Sequence, residues 1–402
     1  MKWGSMRYND CISKTKAVNH MKLLHTSDWH IGRYLNGYSL LEDQRYFLDR
    51  LCELVQEEQI DAVVIAGDLY DRSIPPVEAI RLLDDIFLRF TSEIGIPVLA
   101  IAGNHDSAWR LHFGSRLYRQ SGLYLESVYQ KDIACVTLTD ASGPVHFYLL
   151  PFVPPEQLKK DFDLPSGASM DEAFAALMQH NRSRLDLTQR NVLVAHGFFS
   201  NMQQVEPMVC DSEHQLGGVD LINAKSCEHF DYVALGHLHT PQNLGCGTIR
   251  YAGSILKYSV SEARQHKSVS IVELGEKGEV QCRTVPIKPL RDLRVVSGKL
   301  EQLLAANEVS DDYIHVNLTD DGLVPDAMNR LRGVFQNILG LKVENREQEF
   351  LGELALTGKQ QDRSPESLFC QFYEQVKGES IPPERKKLLQ RIIREAGEEE
   401  TR

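Results

Sequence analysis

The chain has 402 residues, with 44 Lys plus Arg against 56 Asp plus Glu and a formal net charge of −12. That length supports two or three domains, and the acidic balance argues against a protein that coats nucleic acid with a basic face. No apolar run is long enough to span a bilayer, and the eight cysteines form no C-x-x-C pair, so neither a membrane anchor nor a thiolate zinc site is expected.

Met1–His20 is polar and mixed, without the apolar core and cleavage site of a secretory signal. It reads as a flexible N-terminal extension, and a reducing cytoplasm is the expected compartment. From Met21 strand and helix alternate. Lys22–Thr26 reads as a buried strand. Glu42–Gln59 reads as a helix with Phe47, Leu48, Leu51, Leu54 and Val55 on one stripe, and Cys52 sits in it. Ala62–Ala66 is continuously apolar, as in a strand buried on both faces. After Pro75-Pro76 a second helix is expected with Ile80, Leu83, Phe87 and Phe90 inward. Pro97–Ala102 is another buried strand. The alternation predicts an α/β fold with a sheet between helices.

Beyond Gly122 strands dominate: Val145–Phe152, Asn191–Ala195, Tyr232–Leu235, Thr248–Ala252, Ser268–Leu274 and Val280–Val285, with a loop and helix within Asp161–Asn181. Pro286 and Pro289 flank a boundary. A smaller α/β unit follows, with strands Leu293–Val296 and Tyr313–Leu318, a helix Leu300–Ala306, a helix Pro325–Leu339 and a third strand at Leu341–Glu344. Two amphipathic helices close the chain. One starts at Ser364-Pro365-Glu366 and carries Leu368, Phe369, Phe372 and Val376. The other follows Pro382-Pro383 with Leu388, Leu389, Ile392 and Ile393. Helices this short need a packing partner on their own chain or on another. The organisation expected is 1–20 extension, 21–285 main domain, 290–345 small α/β domain and 346–402 terminal helices.

Five polar clusters carry the chemistry: Asp28-Trp29-His30, Gly67-Asp68-Leu69-Tyr70-Asp71, Gly103-Asn104-His105-Asp106, His196-Gly197 and Gly236-His237-Leu238-His239. Each follows the carboxyl end of an apolar strand, where ligands gather in open α/β sheets. Taken singly, Asp28 or His196 is an ordinary hydrogen-bonded residue; five such clusters in order are not. Hydrolysis of a phosphodiester builds charge on the attacking and leaving oxygens, which two cations about 3.5–4 Å apart stabilise. Asp68 is the expected bridge. Asp28, His30 and His239 complete one metal site; Asn104, His196 and His237 complete the other. The Asp, Asn and His mixture suits Mn²⁺, Fe²⁺ or Zn²⁺. His105 points away from its ligating neighbour and is the expected catalytic residue. Asp71 either orients it or has an unrelated surface role. His25 lies inside its strand and reads as structural.

The ordered series D-x-H, G-D-x-x-D, G-N-H-D, H-G and G-H-x-H resembles the calcineurin-like metallophosphoesterase superfamily. Three segments, His25–Gly32, Ala66–Asp71 and Ala102–Ser107, together with Tyr251–Ser254, are similar to the SbcD family of nuclease subunits within it. The resemblance implies a two-sheet β-sandwich flanked by helices, with a small two-layer α/β capping domain and C-terminal helices. It implies two divalent cations, Mn²⁺ foremost, and the same roles for the eight residues above. It implies a DNA nuclease with 3′→5′ double-strand exonuclease and single-strand endonuclease activity. The implied partners are a coiled-coil ATPase of the SbcC type, double-stranded and hairpin DNA, and a second copy of the chain. Arg33, Arg72, Arg110, Arg116 and Arg119 lie near the motifs and offer a phosphate-reading rim. A phosphoprotein phosphatase, a small-molecule phosphodiesterase and a non-catalytic scaffold are the rival readings.

Overall fold

The computed structural model describes residues 20–201, 210, 221–245, 247–305, 310–320 and 324–343, and, nearer the end, 373, 381, 382, 385–390 and 393. By internal contacts the chain divides into two units. One comprises Met1–Leu318 with Pro325–Lys342, the other Thr319–Val324 with Val343–Arg402.

The first unit holds two six-stranded sheets. The first runs Val280–Pro286, Ser268–Leu274, Met21–Thr26, Ala62–Ala66, Val98–Ile101, Leu123–Glu126 from edge to edge. Its last four strands are mutually parallel. The second runs Gln242–Asn243, Ile249–Tyr251, Tyr232–Gly236, Arg190–His196, Gly143–Leu150, Ala134–Asp140, and its four inner strands are parallel. The sheets pack face to face through Leu23, Val64, Leu99, Phe147, Val194, Tyr232 and Val272. The outer face of the first is covered by α1 (Leu41–Glu57) and α2 (Val77–Leu88). Short helices α3 (Ala108–His112) and α4 (Ser115–Tyr118) follow. The outer face of the second is covered by α5 (Pro155–Asp161) and α6 (Met170–Asn181). Both faces of the inner strands are therefore dry, and all five residues of Ala62–Ala66 are buried.

The architecture is a sandwich flanked by helices, whereas periodicity alone pointed to one sheet between helices. Apolar runs reveal burial but not which sheet a strand joins. Ile80 also departs from expectation: it is 46% exposed, while Ala79, Leu82, Leu83, Ile86 and Phe87 form the inward face of α2.

Buried Arg190 ties the sheets at one end. Its guanidinium grips Asp140 at 2.5 and 2.9 Å. It also donates to the carbonyls of Leu274 and Gly275, both at 3.1 Å, on the opposite sheet.

The smaller sheet orders Leu293–Gly298, Ser310–Leu318 and Phe335–Val343, with α7 (Leu300–Ala305) and α8 (Ala327–Leu331). The helix expected over 325–339 is cut short after Leu331. Residues from Phe335 instead join the sheet as its third strand. Phe335 and Ile338 are buried in that strand, so a spacing that reads as helical served an edge strand; pairing overrides local pattern. In the second unit, residues 385–390 are helical and Arg385 donates to the Tyr373 hydroxyl at 2.8 Å. The expected extension before His20, and most of the helix expected from Ser364, lie outside the described residues.

Replacing Asp140 with alanine leaves the Arg190 guanidinium buried without its carboxylate. The expected loss is about 3–5 kcal/mol of unfolding free energy, read from denaturant midpoints.

Candidate metal centre

The carboxyl ends of five strands, three from the first sheet and two from the second, meet at one edge of the sandwich. All seven residues expected as ligands, and His105, come together there. Asp28, His30 and His239 form one group with ligand-type atoms within 4.8 Å of one another, and Asp28, Asp68 and His196 form another. Asp68 Oδ2 stands 3.5 Å from His30 Nε2 and 3.5 Å from His196 Nε2, midway between the two sides. On one side His30 Nε2 and His239 Nε2 face each other at 3.2 Å. On the other, Asn104 Oδ1 lies 2.9 Å from His196 Nε2 and 3.1 Å from His237 Nδ1.

The donor set fits cations. His196 Nδ1 donates to the Ala66 carbonyl at 2.8 Å, which aims Nε2 at the carbonyl-type oxygen of Asn104. With Nε2 unprotonated, it and Asn104 Oδ1 would present lone pairs to each other, which a cation satisfies. Among the described residues, His30 Nδ1 is buried with no hydrogen-bond partner. Burial presses His237 down to about 3 and holds His30 well below the usual imidazole range, so both are neutral, ligand-ready rings. Burial is the largest influence on Asp68 and opposes its charge, but His196, His30 and His105 together outweigh it and keep the carboxyl below its usual range. In return Asp68 draws a proton onto His196 against burial, up to about 9; a cation would take that proton's place.

The loops are strained where they carry the candidate ligands. Asp28, His30, Asp68 and His237 all have positive φ, at 51°, 44°, 52° and 109°. Such conformations cost about 1–3 kcal/mol each and persist only where neighbours enforce them. A side chain on Gly103 would overlap Asp68, and one on Gly236 would overlap the Ala66 carbonyl. Gly103 lets two neighbouring loops of the first sheet touch, and Gly236 lets the second sheet approach the first.

His105 is half-buried, with its ring edge-on to His30 at 4.7 Å. Its N–H donates to Asp68 Oδ1 at 2.9 Å. Its Nδ1 donates to the Asp71 main-chain carbonyl at 2.9 Å. Asp71 therefore touches His105 through its backbone; its carboxylate pairs with Arg33 at 2.8 Å and with Arg72 at 3.5 Å. His105 also falls in a ligand-type group with His30 and Asp68. His25 stays apart, fully buried with Nδ1 2.9 Å from the Tyr232 hydroxyl.

Residues 21–241 match the calcineurin-like phosphoesterase family, and residues 289–377 match the Type 5 capsule protein repressor C-terminal domain family. The chain is 34% identical to the SbcD component of the nuclease SbcCD from Staphylococcus saprophyticus over 379 residues, 93% of this chain and 98% of that one. It is 35% identical to the protein of the same name from Staphylococcus epidermidis over 326 residues, 80% of this chain and 85% of that one. A dimetal phosphatase from Danio rerio is similar in structure, with a TM-score of 0.40 and 14% identity over 67% of this chain and 98% of that chain. The fold and the matched span make the chain a calcineurin-like phosphoesterase, a class that works with divalent metal ions. Within that class it belongs to the SbcD family of SbcCD nuclease components.

Several supporting residues escape a reading of motifs. Asp106 closes the G-N-H-D cluster and accepts the N–H groups of Leu69, Tyr70 and Gly103 at 3.0, 2.9 and 2.9 Å. It thereby joins the Asp68 loop to the Asn104 loop. Desolvation, with Asp68 nearby, pushes its carboxyl up to about 7. Fully buried Glu262 stands 3.5 Å from His239 Nδ1 and 2.6 Å from Lys267 Nζ. Lys267 also donates to the His239 carbonyl at 2.8 Å. A carboxylate behind an imidazole fixes the ring's tautomer and direction. No local signal marks Glu262, which lies 23 positions beyond His239.

Asp106→Ala strands three backbone donors. Unfolding free energy is expected to fall by about 1–3 kcal/mol, and cation affinity, measured by titration calorimetry, by about tenfold or more.

Proposed function

We propose that the chain is the nuclease subunit of an SbcCD-type complex, a two-metal DNA phosphodiester hydrolase working in the cytoplasm in replication, recombination and repair. It acts as a 3′→5′ double-strand exonuclease and a single-strand endonuclease that opens hairpins. The observation that carries the reading is the convergence of six ligand-type side chains on Asp68 in a chain of this family.

In this reading Asp68 would serve two cations, Mn²⁺ foremost. Asp28, His30 and His239 would hold one; Asn104, His196 and His237 would hold the other. When bound they would supply charge that stabilises the attacking and leaving oxygens. Asn104 and His237, at the outer side, leave room for a scissile phosphate. His105, acting as the imidazolium, gives its Nε2 proton to the leaving oxygen and is left as a neutral ring whose Nδ1–H stays on the Asp71 carbonyl. Arg33 and Arg72 gather at the Asp71 carboxylate beside this ring and supply positive charge for the DNA backbone.

The partner is a coiled-coil ATPase of the SbcC type, engaged by the terminal helices. A second copy of the chain pairs through the apolar side chains of α2 to α4 and the adjoining loop, where Leu88, Trp109, Phe113 and Leu117 are 55%, 73%, 83% and 69% exposed.

His105→Ala is expected to retain two bound metals by elemental analysis yet lose most turnover of a labelled hairpin DNA with Mn²⁺. Loss of metal would make His105 a ligand instead. Faster cleavage of a phosphopeptide or a cyclic nucleotide than of the hairpin would favour the rival phosphatase or phosphodiesterase. Truncation after Gly352 should leave metal-dependent cleavage and sedimentation as two copies while abolishing co-purification with the ATPase; normal co-purification refutes the assignment of the helices.

A further inference from the structure

We infer that Gln44 is a positioning residue for the His30 side of the metal centre, and that Asp43 beside it makes that position depend on the smaller sheet. The inference rests on the two-metal reading above. Gln44 is fully buried in the first turn of α1. Its Oε1 accepts the Gly32 N–H at 2.9 Å. Its Nε2 donates to the carbonyls of His30 at 2.7 Å and Trp29 at 3.1 Å. One primary amide therefore clamps three consecutive peptide units of the turn that presents His30, a residue held at φ 44°. The Tyr258 hydroxyl reinforces it by donating to the same Trp29 carbonyl.

The match is chemical. The turn offers one donor and two acceptors, and only a side chain with both an acceptor and an N–H₂ group meets all three. Glutamate keeps the acceptor and loses both donors; methionine fills the space and offers neither.

Asp43 points the other way. Its Oδ2 accepts from the Tyr313 hydroxyl and from Arg291 Nη1, both at 2.9 Å. Tyr313 lies on the central strand of the smaller sheet, and Arg291 just precedes that sheet's first strand. The segment leaving the His30 turn reaches the same place, since Asn36 Nδ2 donates to the Leu339 carbonyl at 2.8 Å and the Tyr38 ring lies 5.8 Å from that of Tyr313. Adjacent side chains on one helical turn thus hold the metal-ligand turn on one side and the smaller sheet on the other.

The test uses the full chain and Mn²⁺ alone, followed by calorimetry and by the paramagnetic resonance signal of the coupled ion pair. Gln44→Met and Gln44→Glu are expected to keep one tight site and weaken the other about tenfold or more, with loss of the coupled-pair signal. Tyr313→Phe should shift the same site in the same direction by a smaller factor. Wild-type affinity at both sites in both Gln44 variants overturns the inference, as does equal weakening of both sites, which marks general destabilisation. An unchanged site in Tyr313→Phe overturns the Asp43 link. If Gln44→Met fails to fold, Gln44→Glu, which keeps shape and the Gly32 bond, decides alone. An unaltered chain that takes up no cation pair overturns the two-metal reading itself, a result separate from all of these.

Discussion

Asp68 is 2% exposed, yet its surroundings hold it ionised. Removing a carboxylate from water costs several kcal/mol unless positive charge and hydrogen bonds replace the lost hydration. The site can be understood as the set of groups that meet this demand. Two imidazoles approach one oxygen from opposite sheets, and the His105 amide serves the other. Gly103 gives up its side chain to make room, and Asp106 gathers the N–H groups that keep both loops close. The sandwich matters because it brings strand ends from two sheets within reach of one carboxylate.

Supports for the site also arrive from segments without motif character. Glu262 and Lys267 brace His239 from behind, and Gln44 braces His30 from α1. Both histidines belong to the same side of the centre, facing each other across 3.2 Å. That side is dry and firmly held: His30 and His239 are 1% and 2% exposed. The side with Asn104 and His237 is more open. The asymmetry suits a centre in which one side is scaffold and the other receives substrate, and it is hard to reconcile with a passive binding surface.

Much of this was legible beforehand because the inner strands are dry on both faces and so read as unbroken apolar runs, each ending in its polar cluster. Ala62–Ala66 with Asp68 is the clearest instance. The division into two sheets was not legible from periodicity, since partners such as Val192 and Tyr232 lie forty positions apart; there the family resemblance supplied what periodicity did not. The strand beginning at Phe335 was misread because buried positions three and four apart fit a helix equally well until its neighbour is known. Asp106 stood in plain view inside a motif, but its work is done on the backbone of another loop. Glu262 and Gln44 act through contacts that span 23 and 14 positions, where no short pattern exists to find.

The pairing of Met21–Thr26 with Ser268–Leu274 has a bearing on biosynthesis. The first sheet cannot close until a strand made some 250 residues later has left the ribosome, as ribosomes work from the N-terminus. Asp28 likewise waits for the His237 amide, 209 positions on, to cap its carboxylate at 3.0 Å. Contacts this distant in sequence form late and slowly. A nascent or prematurely released chain ending before residue 237 lacks the histidines of the second sheet's last motif and cannot assemble the centre. The cluster around Asp68 is therefore completed only after more than half of the chain has been made.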